Sequence, residues 1–442
     1  MQITDAPPRN LPHAGCVDWL RSWRERSILH TIEQTGPAQS YRRNISRLYW
    51  YIALTEFPLW GPIWVLYFTR EGMTLEQIGA FELVAITLLA LAEAPTGIVA
   101  DVWGRKASLM LGAGLQAFAV FCLLTPVLSP IFVVGYLLWG TSYSFISGAS
   151  DAFAYDSLQA DGETERFTHV ASRYAMIAQA AAGLAAIAGS LVAIWDMRAC
   201  FLLTGIGAAL GLAVACTFRE PPLSATEATT RPHAWDTLRA GAQIALHDAQ
   251  VRPVLLIGSI FGLFGTLIWM TILQPYAMSM DVPVWTFGVL LLMSRLCRMA
   301  GAYLAPRLAA TMPRLRLLTI AAGIMALSLV GLWLGTSPAT LALIGIISAA
   351  SAAVLPVLSA MLNDAIPSAQ RATIISLQSL VTMLGLAGVQ WVFFVLSQRV
   401  SAPFAAGFCG LLLALLVTPV LWTLRRSHPV RSETLVEPSG SA

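Results

Sequence analysis

The sequence predicts an all-α membrane protein in which twelve transmembrane helices form two six-helix bundles. Three observations predict this fold class. Hydrophobic residues make up 57% of the 442-residue chain and charged residues only 12%, which is about half of the roughly 25% typical of soluble domains. The apolar residues fall into runs long enough to cross a bilayer. The longest polar connection divides these runs into two equal groups.

The apolar runs, bounded by proline, glycine and charged residues, define the expected helices. A helix needs about 20 residues to cross a hydrocarbon core of ~30 Å, so each run is interpreted as one span. The predicted spans are 47–69, 76–100, 107–128, 131–158, 168–194, 199–218, 251–279, 285–305, 316–335, 339–362, 372–396 and 403–424.

The basic residues predict the orientation of these spans. If the N-terminus is cytoplasmic, only Arg70, Arg198 and Arg399 lie on outside connections, and the other basic residues collect on cytoplasmic segments. Nearly all of the 27 basic residues are arginine, which favours a bacterial inner membrane. The predicted organisation is a cytoplasmic N-terminal segment 1–46, bundles 47–218 and 251–424, a central cytoplasmic loop 219–250 and a cytoplasmic tail 425–442.

Composition also excludes several classes of protein. The shortage of charge excludes a soluble enzyme, and a net charge of +3 is too small to indicate a nucleic-acid partner. The six cysteines form no C-x-x-C pair and the six histidines lie outside the apolar runs, so no disulfide framework and no metal site are predicted. Because no nucleotide-binding or hydrolase motif is present, we expect neither an enzyme nor a cofactor.

A glycine- and charge-containing motif joins the second and third spans, Gly97-Ile-Val-Ala-Asp101-Val-Trp-Gly104-Arg105-Lys106. Gly104 permits a tight turn, Gly97 lets a neighbouring helix approach, and Asp101 can pair with Arg105 at the water boundary. The motif resembles the G-x-x-x-D-x-x-G-R-K/R signature of the major facilitator superfamily, at the position where that superfamily has it. The twelve spans, central loop and inside termini extend the resemblance over the whole chain.

The resemblance implies a transporter in which this cluster holds the two halves together on the cytoplasmic side when the protein faces outward. Asp156, at the inner end of the fourth span, and Arg371, before the eleventh, are further candidates for the cluster. A fixed turn without a switching role is the alternative. The fifth span lacks the Gly-Pro pair of the antiporter signature, and this departure speaks against drug antiport specifically.

Ionisable residues inside the spans are candidates for coupling or substrate binding, because a charge in hydrocarbon is costly and usually faces a cavity or a partner. Helical rise places Glu56 and Arg295 near mid-membrane, where they are expected to share a central cavity. Glu56 is the first candidate to load and release a proton, since low-dielectric surroundings disfavour a charged carboxylate. Arg295, with Arg298 one turn further on, is expected to bind an anionic group; a static buried pair is the alternative. Further candidates are Glu82, Glu93 and Asp151.

Aromatic and amide side chains within the spans are candidates to line a cavity for an amphipathic or aromatic solute. Packing between helices is the default alternative for each of them. The candidates are Trp60, Trp64, Tyr67, Phe264, Trp269, Gln274 and Trp391.

The sequence therefore predicts a secondary active transporter that works as a monomer in the lipid bilayer by alternating access. Its expected activity is antiport, the efflux of a small organic or drug-like compound at the expense of a proton gradient. One alternative is metabolite uptake or facilitated diffusion. An alternative of another class is a membrane receptor or scaffold that keeps the fold without transporting.

Overall fold

The described chain consists of helices joined by turns. The computed structural model describes residues 41–222, 243–245, 247–335, 337–366 and 371–427. Most of the predicted N-terminal segment 1–46, central loop 219–250 and tail 425–442 lies outside the described residues. Within the described ranges the α-helices are α1 (Arg42–Thr55), α2 (Trp64–Arg70), α3 (Leu75–Trp103), α4 (Arg105–Cys122), α5 (Pro130–Ala160), α6 (Phe167–Trp195), α7 (Met197–Cys216), α8 (Val251–Leu267), α9 (Leu273–Ser279), α10 (Val284–Thr311), α11 (Arg314–Leu334), α12 (Ala342–Ala365), α13 (Arg371–Arg399) and α14 (Ala402–Ser427).

Ten helices of the described chain are long and apolar enough to cross a membrane. They correspond to all the predicted spans except the first and the third. The third, α4, has 18 residues and begins with Arg105 and Lys106, so it is shorter and more polar than its neighbours. The predicted class, an all-α membrane protein, is confirmed.

Short polar residues fix where several helices begin. The Thr74 hydroxyl accepts a hydrogen bond from the backbone N–H of Gln77, whose side chain accepts in return from the backbone of Thr74. This reciprocal pair satisfies N–H groups that the first turn of α3 cannot pair internally. Ser129 and Asp196 cap α5 and α7 with their own side-chain oxygens.

The prediction of one continuous first helix over 47–69 is wrong. Helix α1 ends at Thr55 and α2 begins only at Trp64. Pro58 and Pro62 lie between them, and proline both lacks an N–H and clashes with the preceding helical turn. Residues 56–63, the break segment, therefore run as non-helical backbone between two short helices.

Close packing supports the break segment from within the first half. The Leu59 N–H donates to Thr204 Oγ1 of α7 at 3.0 Å. On α6, a Cβ at Gly189 would lie 1.8 Å from the Leu59 carbonyl oxygen, so only glycine lets this helix pass so close to the backbone of the break segment.

The two ends of the molecule differ in how the halves meet. The motif face is the end that carries the turn at Gly104, and the opposite face carries the turn between α2 and α3. The helix pairs that join the halves are α3 with α13, α6 with α10 and α2 with α9. At the opposite face the Leu75 N–H donates to Gln398 Oε1 at 2.9 Å, and Arg399 pairs with Glu76 at 2.9 Å. The halves are therefore closed against each other at the opposite face.

Candidate functional site

A cavity of about 320 Å³ lies between the halves, and we call it the central cavity. Its side chains come from α6 of the first half and from α8–α9, α10 and α12 of the second. Helix α10 begins at the opposite face, so Arg295 lies about 16 Å along it and the cavity extends from there toward the motif face. The lining residues are Gln179, Trp269, Arg295, Arg298, Met299, Ala302, Ala352, Leu355 and Pro356.

Two local features of the chain place charge and an aromatic ring in the central cavity. Arg295 and Arg298 are three residues apart on α10, a spacing that puts both on one face of a helix. Trp269 lies in a π-helical turn, Ile268–Ile272, between α8 and α9. Such a turn shifts the side chains that follow it relative to a regular helix, and it is frequent at functional sites.

Arg295 is the most connected residue of the central cavity. Its Nη1 donates to Gln179 Oε1 at 2.9 Å, which links α10 to α6 across the halves. The guanidinium carbon lies 5.6 Å from the centre of the Trp269 ring, within the range of a cation–π interaction. Its Nε is buried and has no hydrogen-bond partner among the described residues. Arg298 donates to the Gly265 carbonyl at 3.2 Å.

Glu56 lies at the start of the break segment, directly after α1. It is half-buried, and it attracts Arg295 through space across the two halves. The ion pairs of the described residues include none between Glu56 and Arg295. The structure thus brings Glu56 and Arg295 into one region, while the direct partners of Arg295 are Gln179 and Trp269.

Glu82 forms a second buried polar junction between the halves. Only 8% of this residue is exposed. The Tyr136 hydroxyl of α5 donates to Glu82 Oε1 at 2.5 Å, and Gln390 Nε2 of α13 donates to Oε2 at 2.8 Å. The carboxyl group on α3 therefore connects one helix of its own half with one helix of the other half.

Gln274 connects the second half to the break segment. Its Oε1 accepts from the Val65 N–H at 2.9 Å and its Nε2 donates to the Gly61 carbonyl at 2.9 Å. Non-helical backbone at membrane depth needs partners from protein or a water-filled cavity. Gln274 supplies one of them to Gly61 of the break segment and also pairs the Val65 N–H in the first turn of α2, both from the other half of the molecule.

The predicted gating motif forms a capped helix start. Gly104 has φ 97°, a left-handed conformation that glycine adopts without strain. Glu220, which the sequence analysis missed, accepts from the backbone N–H groups of Arg105 at 2.6 Å and Lys106 at 2.8 Å. A carboxylate at a helix N-terminus is favoured by the helix dipole. Burial raises the pKa of Glu220 above its ordinary value, against the opposing effect of these hydrogen bonds.

The two further predicted members of the gating motif, Asp156 and Arg371, lie in different halves of the molecule. Arg105 Nε contacts Asp156 Oδ2 at 3.5 Å, so these two are brought together within the first half. Arg371 instead donates to the Asn363 carbonyl of the second half at 3.4 Å. The side chain of Asp101 and the surroundings of Gly97 lie outside the described part of the chain.

The other candidates have different surroundings. Trp60 stacks on Phe201 with ring centres 5.3 Å apart. Asp151 accepts a hydrogen bond from the Tyr174 hydroxyl. Glu93 and Trp391 are exposed. The candidates that lie in the buried apolar core are Trp60, Trp64, Tyr67 and Phe264.

A larger groove of about 470 Å³ lies within the first half, between α3, α4 and α7. Its lining is apolar and contains no ionisable side chain. The central cavity, which is smaller but carries two arginines, is therefore the candidate site.

One of the comparisons with known proteins identifies a family. The family model described as Major Facilitator Superfamily matches residues 49–387. No curated protein matches the chain by sequence. Among solved structures, the nucleoside transporter NupG has a TM-score of 0.72 at 14% identity, covering 86% of this chain and 99% of its own.

Two further solved structures are similar to this chain. A D-xylose-proton symporter has a TM-score of 0.62 at 16% identity, over 85% of this chain and 95% of its own. A POT family transporter in complex with 5-aminolevulinic acid has a TM-score of 0.66 at 15% identity, over 88% of this chain and 98% of its own. At these identities the likeness shows the fold alone.

Proposed function

The chain belongs to the Major Facilitator Superfamily, and from this premise we propose that it is a proton-coupled secondary active transporter of a small organic compound. One observation carries the proposal. Two halves close against each other at the opposite face, while a cavity with two arginines lies between them and extends toward the motif face. This is the arrangement that alternating access requires, since rocking of the halves would expose the same site first to one side and then to the other.

Glu82 is the proposed element that couples a proton to this movement. Both of its partners, the Tyr136 hydroxyl and the Gln390 amide, act as donors, which suits an ionised carboxylate. Charge-assisted hydrogen bonds are roughly twice as strong as neutral ones. Protonation of Glu82 would therefore weaken the junction of α3 with α13 and favour separation of the halves at the opposite face.

Export in exchange for protons is the first proposed direction, following the expectation from the sequence. Uptake together with protons is the second candidate, and the position of Glu56 favours it. An anion bound at Arg295 would repel the Glu56 carboxylate, so binding would favour the neutral acid. Proton and substrate would then cross in the same direction.

Purified protein in sealed vesicles tests the coupling and separates the directions. With a labelled organic compound inside acid-loaded or alkali-loaded vesicles, both its flux and the internal pH are followed. Opposite movement of compound and proton supports export by exchange, and parallel movement supports uptake with protons. Flux that ignores the pH gradient contradicts proton coupling. The Glu82→Gln variant should transport without sensitivity to the gradient.

A receptor or scaffold that does not transport is the remaining alternative. Flux measured on the parent protein tests it, and Glu56→Gln separately tests the role of this acid, which begins the break segment and lies in the electrostatic field of Arg295. If a folded Glu56→Gln protein shows the same flux as the parent for every compound that the parent moves, Glu56 has no part in coupling. If the parent itself moves none, the receptor alternative is supported.

We also propose that the protein works as a monomer in a bacterial inner membrane, without a cofactor and with a proton gradient as its energy source. The bundles 47–218 and 251–424 are the two proposed moving units, and the motif face, the loop 219–250 and both termini are placed in the cytoplasm. The distribution of basic residues supports this orientation. A cysteine at Glu71 should react with an impermeant thiol reagent outside whole cells, and a cysteine at Arg316 should not; the reverse pattern contradicts the orientation.

A further inference from the structure

The charged side chains of the central cavity are all of one sign. Arg295 and Arg298 are the ionisable residues of its lining, and Glu56 faces the same region without an ion pair to either, among the described salt bridges. Two arginines against one carboxylate leave the region with net positive charge. A cavity of this kind attracts an anion and repels a cation.

Hydrogen-bond donors predominate among the polar side chains of the lining. A guanidinium and an indole N–H have no acceptor atom. The amide oxygen of Gln179 already accepts from Arg295, and its amide nitrogen adds two further N–H donors. Arg295 Nε is buried without a partner among the described residues. A ligand group that only accepts, such as a carboxylate, sulfonate or phosphate, matches this set.

The remainder of the lining is apolar. Met299, Ala302 and Leu355 surround the arginine pair. A volume of about 320 Å³ lies at the lower end of the ~300–1,000 Å³ usual for small-molecule sites. The cavity therefore has room for an oxyanion and a hydrocarbon body about the size of a phenyl ring with a short chain.

We propose that the central cavity binds a small amphipathic organic anion, with its oxyanion on Arg295 and Arg298 and its apolar body against Met299 and Leu355. The Trp269 ring, which lies over the Arg295 guanidinium, holds the plane of that guanidinium for bidentate contact with the oxyanion. This inference rests on the proposed transport function, whose substrate class it names, and it is independent of the direction of transport.

Three probes with one carbon skeleton test the proposal on the purified full-length chain. They are 4-phenylbutyrate, 4-phenylbutanol and 4-phenylbutylamine, which carry a negative charge, no charge and a positive charge. Binding is followed by tryptophan fluorescence and by thermal stabilisation. The acid should bind at least about tenfold more tightly than the other two probes, since each charge-assisted contact contributes about 1.5–3 kcal/mol.

Variants assign that preference to the arginine pair. Arg295→Gln should weaken binding of the acid by about tenfold to a hundredfold and leave binding of the alcohol unchanged. Arg295→Lys keeps the charge but not the planar fork, so it should restore binding in part. Arg307→Gln is the matched control, because Arg307 lies on the same helix, is exposed and stacks on Tyr303.

Each outcome supports or overturns the inference. Equal binding of the three probes overturns it. It is also overturned if binding of the acid is unchanged in both Arg295→Gln and Arg298→Gln, or if Arg307→Gln weakens that binding as much as the cavity variants do. If Arg295→Gln fails to fold, Arg298→Gln and Arg295→Lys still decide. Binding of the acid without flux in vesicles contradicts the proposed transport while this site stands. Proton-coupled flux of the amine or alcohol in place of the acid contradicts this site while transport stands.

Discussion

Replacing Gln274 by leucine should open the molecule at the opposite face. In the parent protein the Gln274 amide joins the second half to the Val65 N–H and the Gly61 carbonyl of the first half. Leucine has a similar volume and cannot form either hydrogen bond. The two backbone groups would be left without partners in the closed conformation, and they would regain hydrogen bonds from water once the halves separate.

The magnitude follows from the burial of these groups. Val65 is 0% exposed, so no water reaches its N–H while the halves are closed. An unsatisfied buried donor costs about 1–3 kcal/mol, and the Val65 N–H alone is counted because Gly61 is only half-buried. Since a factor of ten corresponds to about 1.4 kcal/mol, the ratio of closed to open molecules should fall by at least about fivefold.

Distances between spin labels measure this ratio directly. Labels at Glu71 and Val400, one in each half, report the opening of the opposite face in a background without native cysteines. Gln116→Leu is the matched control, because Gln116 is equally buried but donates to Thr55 of its own half. It should lower thermal stability without changing the distance.

The reasoning is refuted if Gln274→Leu leaves the Glu71–Val400 distance distribution of the parent unchanged while the protein remains folded. It is also refuted if Gln116→Leu and Gln274→Leu change the distribution alike. In the first case the break segment would not depend on the other half for its hydrogen bonds, and in the second the effect would be one of general stability.

Three further predictions concern other junctions. Glu82→Gln keeps the size and an oxygen acceptor next to Gln390 but cannot ionise. In the same distance measurement, the opening of the opposite face should therefore no longer respond to pH. A retained response would contradict the role of Glu82. Glu220→Ala removes the acceptor for the first N–H groups of α4 and should lower stability by about 0.5–2 kcal/mol, seen as a lower melting temperature; no change would mean that water replaces the cap. Hydrogen bonds from Arg42 and Arg166 hold the pKa of Glu163 below its ordinary value. The stability that these bonds provide is therefore present above about pH 4.3. It is lost as the pH falls through the lower pKa of the folded state. Glu163→Gln should therefore flatten the acid side of a plot of melting temperature against pH, and an unchanged slope would refute this assignment.

Hydropathy and charge placement were sufficient to predict the class of fold. Each span must be long and apolar enough to cross the same bilayer, whatever its neighbours are. The break in the first span was missed although Pro58 and Pro62 are visible in the sequence. The surrounding run is apolar throughout, and hydropathy alone does not show whether another helix will supply the missing hydrogen bonds. The partner, Gln274, follows 209 positions after Val65.

The candidate site was predictable in its charges but not in its contacts. Counting residues along the helices predicted that Glu56 and Arg295 lie at the same depth in the membrane, because the rise per residue of a helix is constant. The partners that the structure adds, Gln179 and Trp269, depend on how α6 and a π-helical turn are oriented. Glu220 was missed because it follows the sixth span in a polar stretch, far in sequence from the helix that it caps. The signal that would have suggested it is an acidic residue just beyond a span, close to the expected start of a helix that has no capping side chain of its own.

The central claim is that one site is exposed alternately at the two faces. Two label pairs in the same reconstituted protein test it most directly, Glu71 with Val400 at the opposite face and Glu165 with Arg316 at the motif face. Every condition that lengthens the first distance, whether acidification or the Gln274→Leu substitution, should shorten the second. A molecule in which the opposite face opens while the motif-face distance stays fixed would contradict alternating access.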